Sequence, residues 1–199
     1  TQQTSIQSND PDAGQRFGHR LKVNDNGDIL AVSSKAPGKA GKVEIFVRSS
    51  VTNDDSTQYI WTHRQTLEGA TADGSTKNTA FGDDIAMSKD GTTLFVTAPG
   101  HDKTNQEDAG AIYYYKWNAD GSTNTYTLQQ TLVAPDTQTN MRFGSSISTN
   151  IAGTRVAIGA ENLGNAREMK FDSGATTFDL QDTLVVDLNI GSGGVYTAT

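Results

Sequence analysis

The sequence predicts an all-β protein, a propeller-like array of four-stranded antiparallel blades. Three observations predict it. A Phe-Gly pair recurs as Phe17-Gly18, Phe81-Gly82 and Phe143-Gly144, spaced 64 and 62 residues apart (81 − 17 and 143 − 81). Apolar and polar residues alternate after each pair, at a period of two. No capped stretch of 3.6-residue periodicity competes with the strands.

Within each repeat the elements follow in order. Strand A comes after Phe-Gly and carries Leu21, Ile85 or Ile147 four residues past the Phe. A tight turn follows, written "NDNG", "SKDG" and "NIAG", with Gly27, Gly91 and Gly153 ten residues past the Phe. Asn-Gly and Asp-Gly supply the positive φ that such hairpins need. Strand B places Leu30 with Val32, Leu94 with Val96, and Val156 with Ile158 on one face. Strand C follows a glycine, in "AGKVEIF" after Gly41 and "AGAIYYY" after Gly110. Its third copy is read as "GSGGVYTA" (191–198), with Gly193 before Val195. Strand D is "HRQTL" (63–67) and "LQQTL" (128–132), and "TQQTSI" (1–6) resembles it.

A four-stranded unit repeating at about 60 residues is a propeller blade with long hairpins. The chain divides into 1–16, the end of a preceding blade with its strand D, then blade 1 over 17–80 and blade 2 over 81–142. Blade 3 covers 143–199 and is incomplete, with an inserted hairpin at about 165–190. The spacing motivates that insertion: from Phe to the Gly before strand C is 24 residues (41 − 17), 29 (110 − 81) and 50 (193 − 143). On this reading "QDTLV" (181–185) belongs to the insertion. Either the chain is an excerpt of a longer propeller, or "TQQTSI" supplies the missing fourth strand of the last blade.

Composition narrows the function. Among 199 residues the formal net charge is −7. Phosphate backbones and anionic lipid surfaces repel such a surface, so neither nucleic acid nor membrane is an expected partner. No apolar run of about 18 residues is present to span a bilayer. The absence of cysteine excludes disulfides and thiolate metal sites. The hydrophobic fraction of 34% suits many half-exposed strands.

The combination Phe-Gly, "ILAVSSKAPG", "AGKVEIF", then "LFVTAPG" and "AGAIYYY", then "RVAIGAEN", resembles the FG-GAP repeat of integrin α-subunit propellers. The resemblance covers nearly the whole chain and implies a propeller. Calcium-binding members carry an Asp-x-Asp/Asn-x-Asp-Gly-x-x-Asp loop between strands A and B. Here "NDNGD", "SKDGT" and "NIAGT" are too short for that cage, so the resemblance is to the calcium-free version, with no metal and no cofactor expected. The stretch "FDSGATTFDLQDTLVVDLNIGSGGVYTAT" is similar to large FG-GAP-repeat structural proteins of tailed phages.

Two groups of residues are candidate binding sites on rim loops. The first is His101, Asp102, Asn105, Glu107 and Asp108 in "HDKTNQED". Hard oxygen ligands on a loop can hold Ca²⁺, but this spacing fits no EF-hand, and a solvated acidic loop explains it as well. The second is Phe171, Asp172, Phe178 and Asp179 in the inserted hairpin, where a scaffold carries its variable loops. Phe17, Phe81 and Phe143 are expected as core anchors, and Tyr113, Tyr114, Tyr115 and Trp117 as sheet packing. No catalytic residue is expected. His19, His63 and His101 share no motif, and Asp83 and Asp84, as strand neighbours, would point to opposite faces. "GSGG" precedes a strand, so it does not cradle a phosphate. "SKDGTT" is faintly like a sialidase Asp-box without its closing Trp.

The function these features imply is a non-enzymatic structural or adhesion module of a virion or an extracellular, cell-surface assembly. Its partners would be other structural proteins of that assembly, or a cell-surface glycan or receptor. The alternatives are a glycan-active propeller enzyme and a calcium-dependent bacterial surface adhesin.

Overall fold

The computed structural model describes residues 5–11, 14–35, 38, 40–53, 56–69, 79–119, 123–162, 165–172 and 177–184. Among the described residues twelve strands form three sheets, each a simple meander. Blade 1 is β1 (Arg16–Val23), β2 (Ile29–Lys35), β3 (Lys42–Asn53) and β4 (Ser56–Glu68). Blade 2 is β5 (Ile85–Met87), β6 (Thr93–Ala98), β7 (Ala111–Asn118) and β8 (Thr125–Leu132). Blade 3 is β9 (Phe143–Thr149), β10 (Arg155–Ala160), β11 (Asn165–Asp172) and β12 (Thr177–Leu184). Every pairing is antiparallel, with two to twelve residues connecting sequential strands within a blade.

Blade 3 differs from the sequence expectation. The hairpin expected as an insertion is itself strands C and D: β11 pairs with β10 and β12 with β11. The reason lies in spacing. Gly164, directly before β11, is 21 residues past Phe143 (164 − 143), close to the 24 and 29 of the other blades. "FDLQDTL" in β12 then matches "WTHRQTL" in β4 and "YTLQQTL" in β8 position for position. No strand is missing from this sheet for "TQQTSI" to supply. Gly193 and the rest of 185–199 lie outside the described residues.

The same irregularity marks strand D in all three blades. The C–D ladder slips by one residue between Ile45 and Phe46, Tyr114 and Tyr115, and Glu168 and Met169. The bulge leaves Arg64, Gln129 and Gln181 unpaired. It turns the next residue, Gln65 or Gln130, toward the following blade. The Gln65 Nε2 donates to the Tyr126 carbonyl (2.9 Å) and its Oε1 accepts from the Tyr126 N–H (2.8 Å). Gln130 does the same to Phe178, at 3.4 and 2.8 Å. A side-chain amide thus completes one ladder rung between neighbouring blades.

β1, β5 and β9 lie side by side, so each blade turns strand A inward and strand D outward. Each sheet has a leading face toward the preceding blade and a trailing face toward the next. One core lies between blades 1 and 2, with Ile29, Val43, Ile45 and Leu67 on one side and Phe81, Ile85, Leu94 and Tyr113 on the other. A second joins Phe95, Ile112, Tyr114 and Leu132 to Phe143, Ile147, Val156 and Phe178. Phe81 and Phe143 are wholly buried at these seams. Their backbones run directly over Gly41 and Gly110, where any Cβ would collide with the Phe81 or Phe143 backbone. That contact explains why the two motifs travel together: the Phe-Gly of one blade needs the bare Gly of the blade before.

The A–B turns form a relay. The Asp25 N–H donates to the Lys89 carbonyl (2.8 Å), and the Lys89 N–H to the Ile151 carbonyl (2.9 Å). Gly91 has φ +75° and sits with its α-carbon against the Asn24 side chain, so both conformation and space call for glycine there.

Candidate functional site

Meander topology puts the B–C and D–A connections at one end of the blades. At this end the loop 99–110 leans on 133–142, the crossing from blade 2 to blade 3. Lys103 and Gln106 pair through two backbone hydrogen bonds (3.0 and 2.7 Å), making the loop tip a miniature hairpin. The tip is pinned to its neighbour. Gln106 Nε2 donates to the Thr137 carbonyl (2.6 Å), and Lys103 Nζ to Thr137 Oγ1 (3.1 Å). The Asn140 N–H donates to the Glu107 carbonyl (2.7 Å), and the Arg142 N–H to that of Asp108 (2.9 Å). Asp102 Oδ1 accepts from the Asp108 N–H (2.9 Å). Asn105, Asp108, Asn140 and Arg142 all hold positive φ, between 48° and 62°. Asn and Asp adopt this region readily, and the φ of Arg142 recurs at Ala80, which precedes Phe81 as Arg142 precedes Phe143, so that one belongs to the Phe-Gly crossing of the repeat.

The pinned loop borders an open cleft of about 620 Å³ lined by Asp102, Lys103, Thr104, Asn105, Gln106, Glu107 and Thr139. Every lining side chain is polar. Two carboxylates, two amides, two hydroxyls and one ammonium line it, and of these the Gln106 amide and the Lys103 ammonium are already bonded to Thr137. Such a cleft suits a hydroxyl-rich or peptide ligand rather than an apolar one.

A second polar group lies where strand A begins, beside the axis. The two residues after Phe-Gly are His19-Arg20, Asp83-Asp84 and Ser145-Ser146 in successive blades. Asp83 takes a hydrogen bond from Lys35 Nζ and stands 3.7 Å from His19 Nε2. Asp84 faces Arg20 Nε at 3.5 Å and accepts the Ile147 N–H at 3.0 Å, so one carboxylate joins all three blades. Both aspartates precede β5 and lie in bends. Strand alternation therefore does not govern them, and both turn to cations of blade 1, contrary to the opposite-face expectation.

The sequence candidates fall into two sets that do not meet. Asp102, Asn105 and Glu107 line the cleft. Asp108 stands behind it, 3.9 Å from Arg142 Nη1. His101 is buried beneath, its Nδ1 3.2 Å from the Tyr113 hydroxyl, so it supports the loop and faces no ligand. Phe171 and Asp172 close β11 and Phe178 and Asp179 open β12, at the C–D end of blade 3, the opposite end from the cleft. Phe178 is buried and meets Phe95 and Tyr114 edge-on, at 5.2 and 4.8 Å. It is a core residue. Asp179 is exposed. Sequence reasoning did not find Lys103, Gln106, Thr137 and Thr139, whose types are common in any loop. The axial group did carry a signal: the same repeat position holds a basic pair, an acidic pair and a serine pair. Among the described residues no group of three His, Cys, Asp or Glu side chains is placed to hold a metal.

Buried phenols give the array an alkaline limit. Burial raises Tyr115 and Tyr126 well above their ordinary 10.0, with Tyr113 adding to the first and the Asp90 charge to the second. Both stay protonated in the fold while the unfolded chain ionises. Their contribution is full below about pH 10 and is lost as pH rises beyond it, by up to about 1.4 kcal/mol per pH unit for each. Burial raises Tyr114 too, so urea midpoints measured from pH 8 to 11.5 are expected to hold and then fall steeply, and Tyr126→Phe is expected to reduce that slope without removing it. An unchanged slope in the variant would assign the limit to other groups.

Residues 126–176 match the FG-GAP repeat. That span runs from β8 through β11, so it includes strand C of blade 3 as the structure has it. No curated protein matches the chain. Solved structures share its fold. A provisionally named 6-phosphogluconolactonase from Bacteroides uniformis is 16% identical, with a TM-score of 0.55 over 89% of this chain and 42% of its own. A second from Bacteroides fragilis is 17% identical (TM-score 0.54, 88% and 40%). The periplasmic gluconolactonase of Pseudomonas aeruginosa is 15% identical (TM-score 0.54, 87% and 40%). The chain thus spans about two fifths of these proteins' length, and at such identity the likeness shows the fold alone. It corrects one expectation all the same. The absence of familiar catalytic motifs had argued against an enzyme, yet propellers of this fold bear the names of lactonases, so missing motifs are no ground for excluding catalysis.

Proposed function

We propose that this chain is part of an FG-GAP-type propeller that recognises a partner at the cleft beside loop 101–108. The partner class is a cell-surface glycan or a polar protein segment, and the setting is a virion or an extracellular assembly. The observation that carries the reading is the cleft itself, bordered by a loop pinned through several hydrogen bonds and lined by polar residue types. Its hydrogen bonds hold the loop in place before any ligand arrives, which lowers the entropy cost of binding. The acidic surface and the phage-like sequence stretch support the setting.

A second reading is hydrolysis of a sugar lactone. It rests on the lactonase names of the fold relatives together with His19, whose buried Nε2 lies near Asp83 (3.7 Å) without a hydrogen bond and could take up a proton. One experiment separates the two. The protein is titrated calorimetrically with a panel of neutral and acidic oligosaccharides and with glucono-δ-lactone, and the products are analysed. Binding reduced at least tenfold by Asn105→Ala with Glu107→Ala is expected. Turnover of the lactone, lost in His19→Ala and kept in the cleft variant, would favour the second reading. Neither binding nor turnover would reject both.

A further inference from the structure

Loop 99–110, between β6 and β7, is held by one seam at its base and by the other at its tip. At the base the Gly100 N–H donates to the Thr79 carbonyl (3.0 Å), on the crossing into blade 2. There the His101 ring meets Tyr113 edge-on (6.0 Å between centroids), and Tyr113 meets Phe81. The tip turns the other way. The N–H groups of Asn140, Arg142 and Phe143 donate to the carbonyls of Glu107, Asp108 and Ala109, at 2.7, 2.9 and 3.1 Å. Three successive carbonyls of the loop thus hold the crossing into blade 3. Gly110 comes next, and the Phe143 backbone lies directly over it. The chain that pins the cleft loop is therefore the same chain that carries Phe143 into the seam between blades 2 and 3.

Side chains repeat this arrangement. Thr137, on the crossing, takes Lys103 Nζ and meets Gln106 Oε1 with its hydroxyl, and takes Gln106 Nε2 with its carbonyl. The cleft itself draws its lining from both partners: residues 102–107 come from the loop and Thr139 from the crossing. It is complete only when the crossing into blade 3 is in place. A ligand that touches both sides of such a joint binds its closed form more tightly, and so shifts the joint toward closure. Linkage makes the effect mutual: whatever loosens the joint weakens the ligand by the same factor.

The two seams are separable. Their cores share no residue, because Ile85, Leu94 and Tyr113 lie on one face of blade 2 and Phe95, Ile112 and Tyr114 on the other. Each seam has its own backbone reporter at the outer rim. The Tyr126 N–H donates to Gln65 across the first seam, and the Phe178 N–H to Gln130 across the second (both 2.8 Å). At the inner rim the Ile147 N–H crosses the second seam to Asp84 (3.0 Å). In an array whose stability is a sum of units and seams, one seam can open while the other holds.

We propose that the cleft and the seam between blades 2 and 3 form one cooperative unit: filling the cleft tightens blade 3 onto blade 2, and loosening blade 3 dissolves the cleft. The seam between blades 1 and 2 stands outside the couple, since it touches only the base of the loop. A partner gripping the rim would thereby set the stiffness of the array on one side of its contact. That a partner exploits the coupling rests on the binding role given to the cleft above; the coupling belongs to the protein alone.

Amide hydrogen exchange, read residue by residue on the full chain without ligand, tests this. Ile158→Ala hollows the second seam from blade 3, and Ile45→Ala hollows the first from blade 1; both side chains are buried. In Ile158→Ala the Asp108 and Asn140 amides at the cleft are expected to lose protection about tenfold or more, together with Ile147 and Phe178, while Tyr126 keeps its own. In Ile45→Ala the Tyr126 amide is expected to lose protection and the cleft amides to keep theirs. The reverse direction is read in Thr137→Ala, which removes the pinning hydroxyl and is expected to lower Ile147 protection about threefold. Cleft amides unmoved in Ile158→Ala would overturn the proposal. So would all reporters falling alike in both core variants, which would mean that the array opens as one body, or an unchanged Ile147 in Thr137→Ala. Should Ile158→Ala not fold, Ile158→Val is measured in the same way and judged by the same outcomes. No arm uses a ligand, so a failure of the coupling is told apart from a failure of the binding reading, which the saccharide titrations decide.

Discussion

Gly41→Ala is expected to destabilise the protein by about 3 kcal/mol, near the top of what a single added methyl does. The new Cβ would fall on the Phe81 carbonyl oxygen, with the Ser34 carbonyl 3.1 Å away on another side. Backbone is the obstacle on both sides, so no side-chain rotation relieves it. The chain must instead move Phe81, which is wholly buried and meets Tyr113 edge-on with ring centroids 5.1 Å apart. The damage falls on the seam between blades 1 and 2 and leaves each sheet's own ladder intact. Because stability in a repeat array is largely the sum of units and their seams, the urea transition should broaden as well as shift. A variant with an unchanged midpoint would show that the Phe-Gly crossing has slack.

Phe81→Ala and Phe17→Ala change the same motif residue and are expected to differ severalfold. Removing a fully buried Phe costs about 3–5 kcal/mol, through lost transfer energy and the cavity left behind. Phe81 meets that description, with blade 1 on one side and its own blade on the other. Phe17 is half-buried and packs against Phe46, at 6.1 Å between centroids, at the edge of the Leu30, Val32 and Phe46 cluster. Its loss is expected to cost about 1 kcal/mol. Paired urea denaturation of the two variants measures the ratio. Equal costs would mean that residues 5–11 cover Phe17 as well as a blade covers Phe81.

Much of this architecture is legible in the sequence. Phe-Gly, the turn glycines and the alternation of Leu94 with Val96 mark strands A and B, because those positions must meet rigid geometric demands in every blade. Strand C of blade 3 was harder to place. Its glycine, Gly164, is followed by "NAREMKF", whose charges hide the alternation that "AGKVEIF" and "AGAIYYY" display. "GSGGVYTA" shows the Gly-then-alternation pattern more plainly, while the true D strand is marked only by "FDLQDTL", which repeats the aromatic-to-Leu spacing of the other D strands. The cleft was half legible. Its carboxylates and Asn105 stand together in one loop, but Thr139 arrives from another connection, and Lys103 and Gln106 owe their roles to Thr137 across the fold. Phe178 shows the limit of composition: an aromatic in an apparent insertion looks like a ligand contact, and the register makes it core.

The Phe-on-Gly crossing also sets a timetable. Gly41 is covered by Phe81, 40 residues later (81 − 41), and Gly110 by Phe143, 33 later (143 − 110). Chains are made at about 5–20 residues per second, so blade 1, finished at Glu68, waits about 0.7–2.6 s for Phe81, 13 residues on (81 − 68). For that interval Val43, Ile45 and Leu67 are open to solvent with their partners not yet made. The seam closes in one direction, from the first blade to the last, and its weakest moment comes during synthesis. A ribosome pause between residues 68 and 81 would lengthen that exposure more than a pause anywhere within a strand.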